Sequence, residues 1–530
     1  MNTIKKNWLT IALLTLYGLY AGIYIFQTSF ISDGARFFVL FDDAMISMRY
    51  AKNLAEGFGL VWNPGETPVE GYTNPLWVIF MAFFHLFPIP AAKISMAIQI
   101  SGAIFLGLNL IFVKKITENF SNKLFLPLLA MLLTAFYTPL NNWGLQGMEV
   151  SVLVLLLSAA VWKMLLDFQN DSFSPWPYLL IGFGTLIRVD MAVPYLVLLG
   201  FAFIFIPRYR WRHLTWGLGL LVAFLTSQTL FRLWYYGDPL PNTYYLKMGG
   251  LPLLLRIKRG LYVLYQFVWD MNWVLFVLPF AYLLFRRDRK TFLLALLLLG
   301  QIAYSVYVGG DAWEHKGGAN RYVAVAMPLF FILFTYTVDQ ILLAIKNSIE
   351  IPNFPISAQT LANITLIAAS LASLVNFNFI QNDFRYLERW LLLQQPIFIE
   401  GNKEAVRIAQ AVRKITSPEA EIAVVTAGAI PYFADRPALD LLGKNDAYIA
   451  HLPSHTPSGL EDIRPGHMKW DYDYSIGQLK PDMILQLWGD KEVAYAYIEQ
   501  YYTVVEVDGM LFSARSDSPN ILWERVDSTP

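Results

Sequence analysis

Residues 41–77 read FDDAMISMRYAKNLAEGFGLVWNPGETPVEGYTNPLW. The stretch is polar, opens on two adjacent carboxylates, Asp42 and Asp43, and carries several aromatics. An apolar run, Trp8 to Phe30, precedes it, and another starts as it ends. A helix rises about 1.5 Å per residue, so roughly 20 apolar residues cross the core of a bilayer. The stretch is therefore a loop between membrane segments. The rest of the chain reads as a scaffold that holds this loop against one face of the bilayer.

Composition agrees with that reading. Of 530 residues, 56% are hydrophobic and only 15% are charged, which belongs to a polytopic membrane protein. The net charge is zero, so there is no electrostatic case for nucleic acid as a partner. Cysteine is absent, which excludes disulfides and thiolate metal sites. The first apolar run follows Lys5 and Lys6, is too long for a signal-peptide core and lacks a small-residue cleavage site. It is expected to stay as a helix.

Apolar runs predict about eleven transmembrane helices, near 8–30, 75–113, 123–141, 150–167, 176–188, 191–206, 214–234, 262–285, 291–308, 325–345 and 359–378. The run 75–113 is too long for one straight crossing and contains Pro88 and Pro90. It predicts a short surface-lying or re-entrant helix followed by one true span. With the N-terminus inside, the inner loops hold Lys114, Lys115 and Lys123, then Arg208, Arg210 and Arg212, then Arg286, Arg287, Arg289 and Lys290. That is a positive-inside pattern. The polar and aromatic loops 42–77, 141–149, 188–190, 235–258 and 309–321 then all fall on the outer side.

After Phe379 the composition becomes charged and soluble-looking. Lys403 to Ile415 predicts an amphipathic helix, and Glu421–Thr426, Asp482–Trp488 and Val504–Ser513 predict strands. The expected fold class is thus a polytopic α-helical membrane protein with a C-terminal extracytoplasmic α/β domain. The membrane module is 1–379, with 31–75 as its first outer loop, and the α/β domain is 380–530. No G-x-G-x-x-G, P-loop or solenoid repeat is present.

The chemistry-bearing residues concentrate in the outer loops. A carboxylate such as Asp42 or Asp43 beside a low-dielectric pocket can take a proton from a hydroxyl nucleophile. It also suits a helix N-cap. Helical spacing places Asp42, Ile46, Arg49 and Asn53 on one face. Glu70, Tyr72 and Asn74 combine hydrogen-bonding groups with aromatic rings, which fits a sugar as well as an interfacial aromatic belt. Trp143 and Glu149 stand where a span begins, and Arg188 with Asp190 reads as an ion pair at a hairpin crest. YYGDPLPNTYYLK supplies Asp238, Asn242 and Lys247, with Lys258 following; such cations can hold a lipid phosphate or merely snorkel. Gly309-Gly310-Asp311 leaves one span and Arg321 enters the next. Asp311 and His315 have a spacing that is not diagnostic of a metal. In the C-terminal domain, PGHMK places His467 and Lys469 in a basic patch behind several acids.

These stretches resemble a known group. A carboxylate in the first outer loop, many spans and an outer C-terminal domain look like the GT-C glycosyltransferases. More closely, residues 41–77 resemble the opening loop of the bacterial cell-wall arabinofuranosyltransferases that add terminal β-1,2-arabinofuranose. YYGDPLPNTYYLK, VGGD followed by Arg321-Tyr322, LDLLGKND and PGHMK are similar to later motifs of that family, in the same order, from about residue 40 to about residue 470. The resemblance implies a polyprenyl-phosphate sugar donor, an inverting transfer to a glycan or other cell-envelope acceptor, and location in the cytoplasmic membrane with the chemistry at the outer face. It implies Asp42 as the general base with Asp43 as competitor, and Lys247, Arg321 and Lys258 on the phosphate. Glu70, Tyr72, Asn74 and Glu149 would line the sugar pocket, and His467 and Lys469 would face it from the outer domain. Some GT-C enzymes use a divalent metal and others do not, so no cofactor is assigned. Met148-Glu149 departs from the family's Leu-Glu pair, and the insert holding His315 is not assigned to any motif.

A transporter or flippase for a lipid-linked sugar is the rival reading. Such proteins place polar groups near the bilayer midplane and often show repeated halves. Here the charges gather at one face and no repeat is visible, which favours one-sided chemistry.

Overall fold

The computed structural model describes residues 2–286, 288–314, 320–348, 358–378 and 385–526. Among the described residues seven helices, or eight with one bent pair, are long and apolar enough to cross a membrane, against the eleven or so expected: Asn7–Gln27, Ala91–Thr117, Val150–Gln169, Pro207–Tyr235, Arg289–Val308, Met327–Lys346 and Gln359–Phe377. Their outward faces are apolar, with Leu19, Ile104 and Trp234 among many exposed large side chains. Shorter apolar helices, Pro75–His85, Phe125–Ala135, Trp176–Ile187 and Val189–Phe205, fill the bundle between them. The long run after the first loop divides as expected. Pro88 and Pro90 separate the short helix Pro75–His85 from the span Ala91–Thr117.

Two segments depart from the expected single spans. The run near 262–285 is two helices, Leu253–Asp270 and Trp273–Phe285, bent by 99°. The break sits at Asn272, whose φ is 60° and whose side chain accepts from the Val274 amide to start the second helix. The run near 123–141 stops at Ala135, and a new helix, Thr138–Leu145, starts with Pro139 in its first turn. The Asn378 side chain accepts from both the amide and the hydroxyl of Thr138, which satisfies the freed donors there.

Small residues let the central helices approach. A Cβ at Gly102 would run into the carbonyl of Gly144, and Ser151 lies beside it. At one end of the bundle the basic loops meet: Lys290 donates to the Asn119 carbonyl, Lys114 to Asn7, and Lys123 pairs with Asp339. At the other end, Asn74 bonds Glu149, Arg188 bonds Glu149, Arg232 bonds Glu70 and Arg321 bonds Asp43. The polar loops therefore share one end, as the charge pattern requires.

The C-terminal domain holds a five-stranded sheet in the order Ala438–Asp440, Ile422–Val424, Met483–Ile484, Met510–Arg515, Tyr502–Val507. The first three strands are parallel and the last two antiparallel to their neighbours. The helix Ile399–Ile415 packs its apolar stripe on this domain. The expected strand 504–513 is instead a hairpin, because Asp508-Gly509, both with positive φ, make a two-residue turn. The boundary placed at 379 falls next to residues 379–384, outside the described residues.

Candidate active site

The first loop is built before its chemistry is placed. A short hairpin, Ser29–Ser32 with Ala35–Phe38, leads into the helix Asp42–Ala55, and Asp42 and Asp43 occupy its first turn. Carboxylates there are favoured by the unpaired amides of a helix start. Adjacent residues on a helix point in different directions, and here the two part company entirely.

Asp42 turns to the C-terminal domain. Its Oδ1 accepts from the amides of Ala429 (2.8 Å) and Gly428 (3.2 Å), at the carboxyl end of the strand Ile422–Val424. Gly428 permits this contact, since a Cβ there would overlap the Asp42 main-chain oxygen. Oδ2 has no hydrogen-bond partner among the described residues. Burial pushes the Asp42 carboxyl up to about 6, against the pull of Lys444 and the two amides, and Asp43 adds to the rise.

Asp43 turns the other way, into a cluster of cations. Its Oδ1 accepts from Lys444 Nζ (2.9 Å) and its Oδ2 from Arg321 Nη2 (3.1 Å). Arg321 is in turn gripped by Asp311 at 2.7 and 3.0 Å. Burial raises the Asp43 carboxyl, but Lys444, Arg321 and Lys247 outweigh it and hold it well below the usual carboxylate range. Burial together with Arg321 brings Lys247 down to about 8, with Asp43 and Asp311 opposing.

Two cavities meet at this pair. The outer one, about 590 Å³, is lined by Asp42, Lys444, His467, Trp313, Trp488, Asn402 and the segment 394–402. The inner one is smaller and is lined by Asp43, Ser47, Tyr72, Asn74, Glu149, Thr243, Lys247 and Arg321. Lys444 and His467 line both. Burial, with Lys444 beside it, takes the His467 imidazole down to about 3, so it is neutral near pH 7. Around the inner cavity Ser47 donates to Asn74 (2.9 Å), Asn74 to Glu149 (3.0 Å), and the Tyr72 hydroxyl bonds that of Tyr236 (2.8 Å). Arg188 holds Asp190 through two bonds, 2.8 and 2.6 Å, and touches Glu149 at 3.4 Å, so the crest of its hairpin is a buried ion cluster behind the cavity wall.

Of the residues singled out in the sequence, the structure thus brings Asp42, Asp43, Tyr72, Asn74, Glu149, Lys247, Arg321 and His467 to the cavities, with Arg188, Asp190 and Asp311 behind them. Others are structural. Arg49 does not face a cavity; its guanidinium is spent on the carbonyls of Trp62, Pro431 and Arg436 and on Asn63, and it ties the first loop to the C-terminal domain. Glu70 is paired with Arg232 at 2.6 Å, away from the sugar pocket assigned to it. Asp238 accepts from Tyr245 and the Leu240 amide and shapes its own loop. Asn242 donates to the carbonyls of Gly443, Lys444 and Asp446, so it seats the Lys444 loop rather than a ligand. Lys469 is buried on the carbonyls of Tyr245 and Ala450. Lys258 is exposed. His315 lies outside the described residues, and among those described no group of three His, Asp or Glu side chains is placed to hold a metal ion.

Lys444, which binds Asp43 and lines both cavities, is not distinguishable in the sequence from the rest of LDLLGKND. Nothing local marks this lysine, because its carboxylate partner lies 401 residues earlier.

Comparison with known proteins bears on these features. Residues 396–520 match a domain of unknown function (DUF8728). No curated protein matches the chain by sequence. Among solved structures, ArnT from Cupriavidus metallidurans in the apo state is similar with a TM-score of 0.54 at 12% identity, covering 95% of this chain and 97% of that one. The Archaeoglobus fulgidus oligosaccharyltransferase in the apo form gives 0.57 at 11% identity, covering 98% of this chain and 76% of that one. The same enzyme tethered to an acceptor peptide gives 0.55 at 11% identity, covering 99% and 78%. Both proteins are GT-C superfamily members, and the likeness extends over nearly the whole chain. The chain therefore has the GT-C fold, a helical membrane bundle with a C-terminal α/β sheet domain.

Proposed function

We propose that this protein is a membrane glycosyltransferase that moves a sugar from a polyprenyl-phosphate donor to a hydroxyl of a cell-envelope acceptor. The observation that carries the reading is the division of labour between Asp42 and Asp43. Asp42 lines the large cavity, spends only Oδ1 on hydrogen bonds among the described residues, and has a carboxyl shifted up to about 6, which suits a base working near neutral pH. Asp43 is saturated by Lys444 and Arg321 and serves to fix two cations at the inner cavity.

The donor's phosphate takes the inner cavity, whose open volume is about 40 Å³. Its sugar lies between that seat and Asp42, and the acceptor enters the outer cavity of about 590 Å³. The acceptor oxygen attacks the anomeric carbon as Asp42 takes its proton. The bond from that carbon to the phosphate oxygen breaks, and the polyprenyl phosphate leaves with the electron pair, so the anomeric configuration inverts. Lys247, Arg321 and Lys444 stabilise the charge that grows on the departing phosphate. Tyr72, Asn74 and Glu149 hold the sugar. The first-loop resemblance favours arabinofuranose as that sugar. The basic loops at the far end of the bundle favour a cytoplasmic-membrane protein with the site outside.

The test is a transfer assay on purified protein in lipid, with a panel of polyprenyl-phosphate sugars and envelope extracts. Transfer from one donor that is lost in Asp42→Asn with donor binding kept is the expected result. Binding of donors with no transfer to any acceptor, in the parent protein, would instead favour a flippase.

A further inference from the structure

The inner cavity is prepared for an anion beyond what its ion pairs require. Lys247 has no carboxylate within ion-pair distance among the described residues. Thr243, one turn before Lys247 on the same short helix, has a buried hydroxyl without a partner among the described residues, and the buried, neutral His467 imidazole leans on the Pro465 main chain. Both side chains line the inner cavity. A cation and an open hydroxyl, with a neutral imidazole beside them, around one small space suit a tetrahedral oxyanion. The Lys444 ammonium stands in the same wall, 2.9 Å from Asp43, and also faces the outer cavity that holds Asp42.

That double exposure has a physical result. With the inner cavity empty, the field of Lys444 favours the ionised form of Asp42. An anion placed beside Lys444 offsets this field, so Asp42 attracts a proton more strongly. We propose that a phosphate-bearing ligand in the inner cavity primes Asp42 through Lys444, so that the carboxylate accepts a proton more readily once the donor is seated. This rests on the inner cavity being the donor phosphate site, as proposed above. Lys444 is here a positioning residue that acts on Asp42 through its charge.

Asp440 also feels Lys444 and its carboxyl is raised by burial, but it lines neither cavity. It is held by the amides of Leu442 and Asn445 and by the Asn445 side chain, and any uptake there would survive in Asp42→Asn. The remaining charges around Asp42 do not produce the same signal. On its own helix Asp43 is held far below neutral by its cations and does not titrate there. From the loop before the Arg321 helix, Asp311 is likewise held low and locked to Arg321. His467 titrates only near 3. Lys247 titrates near 8, so an anion also draws protons onto it at about pH 7.5, and it is the uptake near pH 6, lost in Asp42→Asn, that belongs to Asp42. Arg385, Arg389 and Glu400 line the outer cavity and not the inner one.

The sign is fixed by linkage. If the anion raises the proton affinity of Asp42, the anion binds more tightly where Asp42 is protonated, and each binding event takes up a fraction of a proton near pH 6. The probe is methyl farnesyl phosphate, a phosphodiester that carries one charge and does not itself titrate near neutrality. Titration calorimetry on the intact protein in detergent, in buffers of different ionisation enthalpy, counts the protons. Affinity is expected to be about tenfold higher at about pH 5 than at about pH 7.5. Proton uptake near pH 6 is expected to vanish in Asp42→Asn, which keeps the cavity intact, and to shrink in Lys444→Gln. Binding without that uptake in the parent, or that uptake surviving in Asp42→Asn, would overturn the priming while leaving the donor site standing. Absence of any binding at either pH would remove both.

Discussion

At the scale of single residues, the site rests on two neighbouring carboxylates made unlike by their surroundings. Asp42→Asn removes the proton acceptor while its Oδ1 can still meet the two amides, and transfer is expected to fall by about 10²- to 10⁴-fold with donor affinity kept. Asp43→Asn frees Lys444 and Arg321 from their shared anchor, so it is expected to raise the donor KM as well as lower kcat. Isothermal binding and steady-state kinetics on the two variants separate these outcomes. The pH dependence follows from the same groups. Asp42 must be ionised to act, so kcat/KM is expected to rise with pH through about 6. Lys247 must be charged to hold the phosphate, so kcat/KM falls again above about 8. In Lys247→Arg the upper limb is expected to move beyond the measurable range, since a guanidinium stays charged. Much of this was legible in the sequence, because Asp42, Asp43, Asn74, Glu149 and Arg321 all sit in polar stretches between apolar runs. What was not legible was which polar residue faces a cavity. Arg49 and Glu70 look as chemical as Asp43, yet partners up to 387 residues away claim them for packing.

At the scale of elements, helix existence was read well and helix continuity was not. Apolar length alone cannot tell a straight span from one broken at Asn272, where a polar residue with positive φ restarts the helix. The expected strand 504–513 is a hairpin for a related reason: apolar alternation continues across Asp508-Gly509, whose positive φ values turn the chain back. The contact between the first loop and the C-terminal domain depends on two glycines whose need no local pattern announces. A Cβ at Gly71 would overlap the Asn445 side chain beside Lys444, and one at Gly428 would overlap Asp42. Gly428→Ala is therefore expected to lose activity out of proportion to any loss of stability, which thermal unfolding alongside the transfer assay would show. The Glu70–Arg232 pair, buried and 2.6 Å apart, joins the same loop to the span Pro207–Tyr235. Arg232→Met strands a buried carboxylate and is expected to cost about 3–5 kcal/mol, read as a lowered Tm.

At the scale of the whole molecule, the basic ends and the polar ends of the bundle separate cleanly, and this predicts an orientation. The chain contains no cysteine, so single cysteines report without background. Ser121→Cys in a basic loop is expected to resist a membrane-impermeant thiol reagent added to spheroplasts. Ser458→Cys, at an exposed position of the C-terminal domain, is expected to react. The reverse pattern would turn the protein over. The amides that receive Asp42 lie 386 residues or more after it in the chain. Asp42 leaves the ribosome long before its partners exist, and every span between them must be threaded first. Until the C-terminal domain is made, Asp42 has neither the amides of Gly428 and Ala429 nor Lys444 beside it, and the outer cavity lacks most of its wall. For the transfer proposed above, docking of that domain is then what turns a membrane-bound nascent chain into an active one, and a product truncated before it is expected to stay silent instead of spending lipid carriers on water.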